Sequence, residues 1–191
     1  MATPSQLNKA ARDGRLVKFS RRFEDPNVRG YVLDVGPRFF LLLLLSDRVW
    51  FDGFECFRIQ DVRALTLDPH SNFAEAALKK RGERKPRTPR IGLASIEEVL
   101  LTANRHFPLV TIHCERRDPE ICYIGHVIGI EGDHVSLLEI GPGAVWHKTP
   151  SKYPLREITR VGFGADYENA LAIVGREPPK KGNNRTQRTP R

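Results

Sequence analysis

Apolar and polar positions change period several times along the chain, and the changes come twice in the same order. Leu7, Ala10 and Ala11 follow Thr3-Pro4-Ser5 at helical spacing. Thr3 can cap this helix, Pro4 fits its first position, where a missing N–H costs nothing, and Gly14 can stop it. Strand-like runs follow at 16–23, 30–35 and Phe39–Leu45, separated by turns at 24–27 and Gly36-Pro37. Residues 46–55 read as a variable segment, 56–65 as the last strand, and 73–80 as a closing helix that ends at Gly82.

The second pass begins at Ser95, which has a capping-box spacing to Glu98. Strands are expected at 109–115, 123–130, 134–140 and 155–163, and a closing helix at 167–174 before Gly175. At an offset of 93, Leu16-Val17 falls on Leu109-Val110 and Asp25-Pro26 on Asp118-Pro119. At the same offset Glu75, Ala77, Leu78 and Gly82 fall on Glu168, Ala170, Leu171 and Gly175, while Leu7 and Ala10 fall on Leu100 and Ala103. The second strand of the second copy has gained two residues. The expected organisation is therefore one unit over 1–82, a basic linker over 83–94, a second unit over 95–175 and a basic tail over 176–191.

The third strands differ. His134-Val-Ser-Leu-Leu-Glu-Ile is mixed, as suits a strand with one partly solvated face, whereas Phe39–Leu45 is apolar at every position. Such a strand is normally covered on both faces, which makes it a candidate seam against the other half or against a second copy of the chain. Short strands with tight turns expose edges when they lie open, so closure is expected. The fold class is then mainly β, with two tandem five-stranded bent barrels, each with a leading and a closing helix.

This order of elements resembles the Sm-like small barrel. The leading helix carries the resemblance, together with Gly125-x-Val-x-Gly-Ile-x-x-Asp133-x-Val135 and Ile158-Thr-Arg-Val. The resemblance implies a barrel in each repeat. The uridine-binding loop residues of that family are not recognisable, so no RNA contact is carried onto any residue. The run Ile158-Thr-Arg-Val, Phe163-Gly and Tyr167-Glu-x-Ala-Leu is also similar to bacterial proteins of unassigned role, which implies a lineage and no activity.

Composition narrows the chemistry. A hydrophobic content of 40% over 191 residues suits one or two globular units. Three irregularly spaced cysteines make no disulfide framework and point to a reducing, cytoplasmic setting. The first residues lack a basic region followed by an apolar run, so no signal peptide is expected. Phe39–Leu45 is too short to span a bilayer as a helix, so no membrane partner is expected.

The net charge of +8 is unevenly placed. Residues 79–90 hold seven basic residues and one Glu, and 176–191 hold six basic residues and one Glu, which leaves the remainder slightly acidic. Both segments contain proline and read as flexible. Arg-Thr-Pro-Arg occurs in each, at 87–90 and 188–191.

His113, Cys114, Cys122, His126 and His134 cluster in sequence, but metal sites need regular ligand spacing, and the adjacent His113 and Cys114 point to opposite faces of a strand. Under the repeat, His126 and His134 fall on Tyr31 and Phe39, which are positions for half-buried rings. Ser136 lies in no nucleophile elbow, and Gly162-Phe-Gly164 lacks the third glycine of a dinucleotide loop. No enzyme activity, cofactor or metal is expected. The expectation is a non-enzymatic binding module. It would contact nucleic acid, with RNA first, through Lys79, Lys80, Arg81, Arg84, Lys85, Arg87 and Arg90, and through Lys180, Lys181, Arg185, Arg188 and Arg191. The alternative is an assembly module that self-associates or takes a protein partner through Phe39–Leu45, with Trp50 and Trp146 beside it.

Overall fold

The computed structural model describes residues 3–23 and 28–179. The chain begins with α1 (Pro4–Asp13) and continues through β1 (Leu16–Arg21), β2 (Val28–Val35), β3 (Phe39–Leu45), β4 (Phe51–Arg58), β5 (Val62–Leu67) and α2 (Ser71–Arg81). The second half runs α3 (Ile96–His106), β6 (Val110–His113), β7 (Cys122–Glu131), β8 (His134–Glu139), β9 (Ser151–Pro154), β10 (Arg160–Phe163) and α4 (Asp166–Gly175). Local chemistry accounts for the helix ends. Thr3 and Gln6 form a reciprocal capping box, Gly14 takes the left-handed conformation after α1, and the Ser95 side chain accepts from Glu98 N. The turn expected at 24–27 lies outside the described residues.

The ten strands form one antiparallel sheet in the order β5-β1-β2-β3-β4-β10-β6-β7-β8-β9. Its two halves have the same internal order, and the mainly β class holds. Two separately closed barrels do not: β4 pairs along β10, Cys56 opposite Val161 and Phe57 opposite Arg160, and the sheet runs on through the junction. The edge that closure was expected to satisfy is satisfied by the other half. The strand expected at 56–65 is also broken. A 3-10 turn at Ile59–Asp61 turns β4 into β5, which pairs with β1, and Leu155–Glu157 does the same between β9 and β10. β4 itself begins at Phe51, inside the segment expected to be variable.

The repeat is visible in the register. Val17 pairs with Gly30 and Val110 with Gly125. A Cβ on Gly30 would stand 2.4 Å from Leu43 O, and one on Gly125 2.3 Å from Leu138 O, so only glycine fits at either bend. A bulge follows each, after Val32 and after Val127, and sharpens the local twist.

One core spans both halves. Leu41, Leu43, Phe54 and Cys56 pack in the same cluster as Val99, Leu100, Val110, Ile112 and Phe163. A second cluster sets Leu7 and Ala10 of α1 against Phe19, Val32, Phe40, Leu42 and Phe57. β3 is thus covered on both faces by its own chain, and Leu42 and Leu43 are fully buried. The association surface expected at Phe39–Leu45 is not exposed.

Polar groups cross the same junction. Arg21 of β1 is buried and holds Glu115 at 2.6 and 3.1 Å, with its guanidinium 4.6 Å from the Phe57 ring centre. Thr159 donates to Glu115 at 2.6 Å, and Arg160 lies 3.6 Å from both Glu115 and Glu55. Burial opposes ionisation of Glu115. The Arg21 hydrogen bonds and charge outweigh it, aided by Thr159 and Arg160, and hold the carboxyl below its ordinary pKa. Burial, then the charges of Arg160 and Arg21, push the pKa of His113 down to about 2.

Candidate nucleic-acid interface

The basic run from Lys79 starts on the last turn of α2, where cations face the negative end of the helix. Gly82 then takes a left-handed conformation and ends the helix. Residues 83–94 have no regular secondary structure, yet they are tied down. The Lys85 ammonium sits 3.4 Å from the Tyr31 ring centre and 3.3 Å from Gly14 O. Ile91 and Leu93 enter the shared core, Leu93 O accepts from Phe39 N, and Gly92 N donates to Thr102. The linker expected to be flexible is an anchored strap.

The anchoring leaves Lys79, Lys80, Arg81, Arg84, Lys85, Arg87 and Arg90 at the surface. Of these, Lys79, Lys80, Arg84, Arg87 and Arg90 are exposed along the end of α2 and the strap. Lys85 is exposed too, but its ammonium lies against Tyr31. Burial of its ammonium lowers its pKa, against Glu75, which raises it. Tyr31 beneath it is pushed up to about 12 by burial and by the charges of Glu75 and Asp68. Lys180, Lys181, Arg185, Arg188 and Arg191 lie outside the described residues.

The fold also brings in side chains that the linear reading missed. Arg81 donates to the carbonyls of Arg48 and Val49, and its guanidinium lies 4.8 Å from the ring of Trp50, which is 43% exposed. No aromatic residue interleaves with the basic run in sequence, but in space an exposed indole stands beside it. The signal was the Val49-Trp50 pair, whose partner lies about thirty residues on. A cavity of about 490 Å³ opens beside the strap, between Tyr31, Phe51, Glu75 and Arg84. A larger cleft of about 830 Å³ lies where the two halves meet, with Arg38, Arg58 and Arg156 set against Glu97 and Asp133. Arg58 is committed there to the carbonyls of Arg156 and Ile158. That cleft sets two carboxylates against its three arginines; the strap and the end of α2 carry seven basic residues against Glu83 alone.

The histidines and cysteines go to separate places. His113 faces Arg160, His126 faces Pro108 O at 3.1 Å, and His134 faces Asp133 at 2.6 Å. Cys56 and Cys114 are buried and Cys122 is exposed. Among the described residues no group of three metal-ligating side chains converges, and no helix is long and apolar enough to cross a membrane. No family model, no curated protein and no solved structure matches the chain.

Proposed function

We propose that the chain is a fused pair of Sm-like units that works as a non-enzymatic, intracellular binding module for single-stranded nucleic acid, RNA first. The repeated strand order, the paired bends at Gly30 and Gly125 and the 3-10 turns before β5 and β10 support the Sm-like reading. Three cysteines without disulfides support a reducing compartment. The observation that carries the function is the exposed basic run over the end of α2 and the anchored strap, with the exposed indole of Trp50 beside Arg81. The cations neutralise phosphates and the indole stacks a base, and neither contact reads sequence. The alternative assembly reading draws less support, because β3 is covered by its own chain.

The test is fluorescence anisotropy of a labelled mixed-sequence RNA against the full chain. Five phosphate contacts should weaken binding about a hundredfold between about 50 and about 200 mM salt. Replacing Lys79, Lys80, Arg84, Arg87 and Arg90 by Gln should remove most of that slope, and Trp50→Ala should cost about tenfold in affinity. Binding that ignores salt, or that survives the five replacements, would overturn the reading.

A further inference from the structure

The junction inside the chain and the two outer edges of its sheet are built from the same pair of strands. At the junction β4 lies along β10; the sheet ends in β5 and β9, which hold the places of β10 and β4 in the opposite halves. The counterparts match residue by residue. β5 meets β1 as β10 meets β6, which sets Leu65 and Leu67 where Val161 and Phe163 stand. β9 meets β8 as β4 meets β3, which sets Pro150, Lys152 and Pro154 where Phe54, Cys56 and Arg58 stand. Carried onto the outer edges, the register of the junction would place Leu65 of one copy opposite Lys152 of the next, and Leu67 opposite Pro150.

Among the described residues no other strand pairs with either edge. The hydrogen bonds fix which backbone groups face outward. Asp68 N donates to Leu16 O, so Leu67 and Leu65 turn their N–H and C=O away from β1. Leu155 N donates to Asp133 O, so Lys152 and the positions two residues either side of it turn away from β8. Those two positions are Pro150 and Pro154, and neither has an N–H, whereas β4 has one at all three places. The side chains do not oppose the pairing. Ala64 would face Tyr153 and Thr66 would face Ser151, no like charges stand opposite each other, and Leu67 is 48% exposed. We infer that β5 and β9 form a latent head-to-tail interface between copies of this chain, held closed by Pro150 and Pro154. Proline on the outward side of an edge strand costs its own sheet no bond, and here it denies a neighbour two of three donors. The interface is separate from the basic strap and does not depend on its function.

The experiment measures the mass of the nuclease-treated full chain by light scattering, from micromolar to near-millimolar concentration. The unaltered chain should stay single throughout. Pro150→Phe with Pro154→Arg introduces the residues that β4 has at those places. The mass should then more than double across the range, because unlike edges meet and each added copy leaves one of each free. Adding Leu67→Pro moves the missing donor to the other edge and should return the protein to a single chain. Leu67→Asp should do the same through its exposed side chain. Melting temperatures, read for every variant, show that each is folded. A folded double variant that stays single, an assembly that both Leu67 changes leave intact, or an unaltered chain that assembles and is separated by Leu67→Asp would overturn the inference.

Discussion

β3 and β8 hold the same place in their halves, and their residues are not alike. Leu41, Leu43 and Leu45 on one face of β3 correspond to Ser136, Leu138 and Ile140 at the end of the second half. The inward faces match: Phe40 and Leu42 against Val135 and Leu137, all buried. The outward faces differ because their cover differs. Behind β3 lie the strap residues Ile91 and Leu93 and the core of the second half, whereas on the matching face of β8 Leu138 and Ile140 stay buried and Ser136 is half-buried. A five-stranded unit whose back is covered can be apolar throughout, and one whose back is open keeps polar residues there.

The largest expected effect falls where that difference is sharpest. Leu41→Ser should cost about 3–5 kcal/mol, since it opens a cavity and buries a hydroxyl, while Ser136→Leu should change stability by less than about 1 kcal/mol. Urea denaturation of both variants checks this. Equal costs would mean that the two backs are equally covered.

The buried polar junction gives a second contrast. Cys114 stands in the second half where Arg21 stands in the first, so the Arg21–Glu115 pair has no internal copy. Arg21→Met should cost about 3 kcal/mol by leaving Glu115 under-compensated, and adding Glu115→Leu should restore most of it. The pair also makes folding acid-sensitive. The folded pKa of Glu115 is depressed, so its contribution is present above the ordinary carboxylate pKa and is lost as pH falls through the folded value. His113 works in the same direction. An unfolded imidazole takes a proton below about 6.5, while the folded one waits until about 2, so stability declines as pH falls between them, by up to about 1.4 kcal/mol per unit. His113→Gln should flatten the profile between about 6.5 and the carboxylate range. An unchanged profile would place that proton elsewhere.

Much of this architecture is local and could be read from residues alone. The Thr3-Pro4 start, the Ser95–Glu98 spacing, the glycine stops and the offset between repeats each rest on chemistry within a few positions. The two-sided burial of β3 follows from seven apolar residues in a row. What could not be read is long-range. Glu55 pairs with Gly162 across more than a hundred residues, and nothing in either strand names the other. The 3-10 turn at Ile59–Asp61 sits inside a run whose pattern continues unbroken, so one strand was expected where there are two. The strap looked flexible because its charge and prolines dominate its composition, and only Ile91 and Leu93 record that it is anchored. Trp50 joined the candidate site through Arg81, a contact that requires the fold.

The two tryptophans, one in each half, offer the most direct check on the division of labour. An NMR titration of the full chain with a short single-stranded RNA would follow both indole N–H signals at once. The expected result is a progressive shift of the Trp50 signal, beside the basic strap, while the Trp146 signal stays in place. A shift confined to Trp146, or no movement of Trp50 at saturating RNA, would contradict the assignment of nucleic-acid binding to the first half.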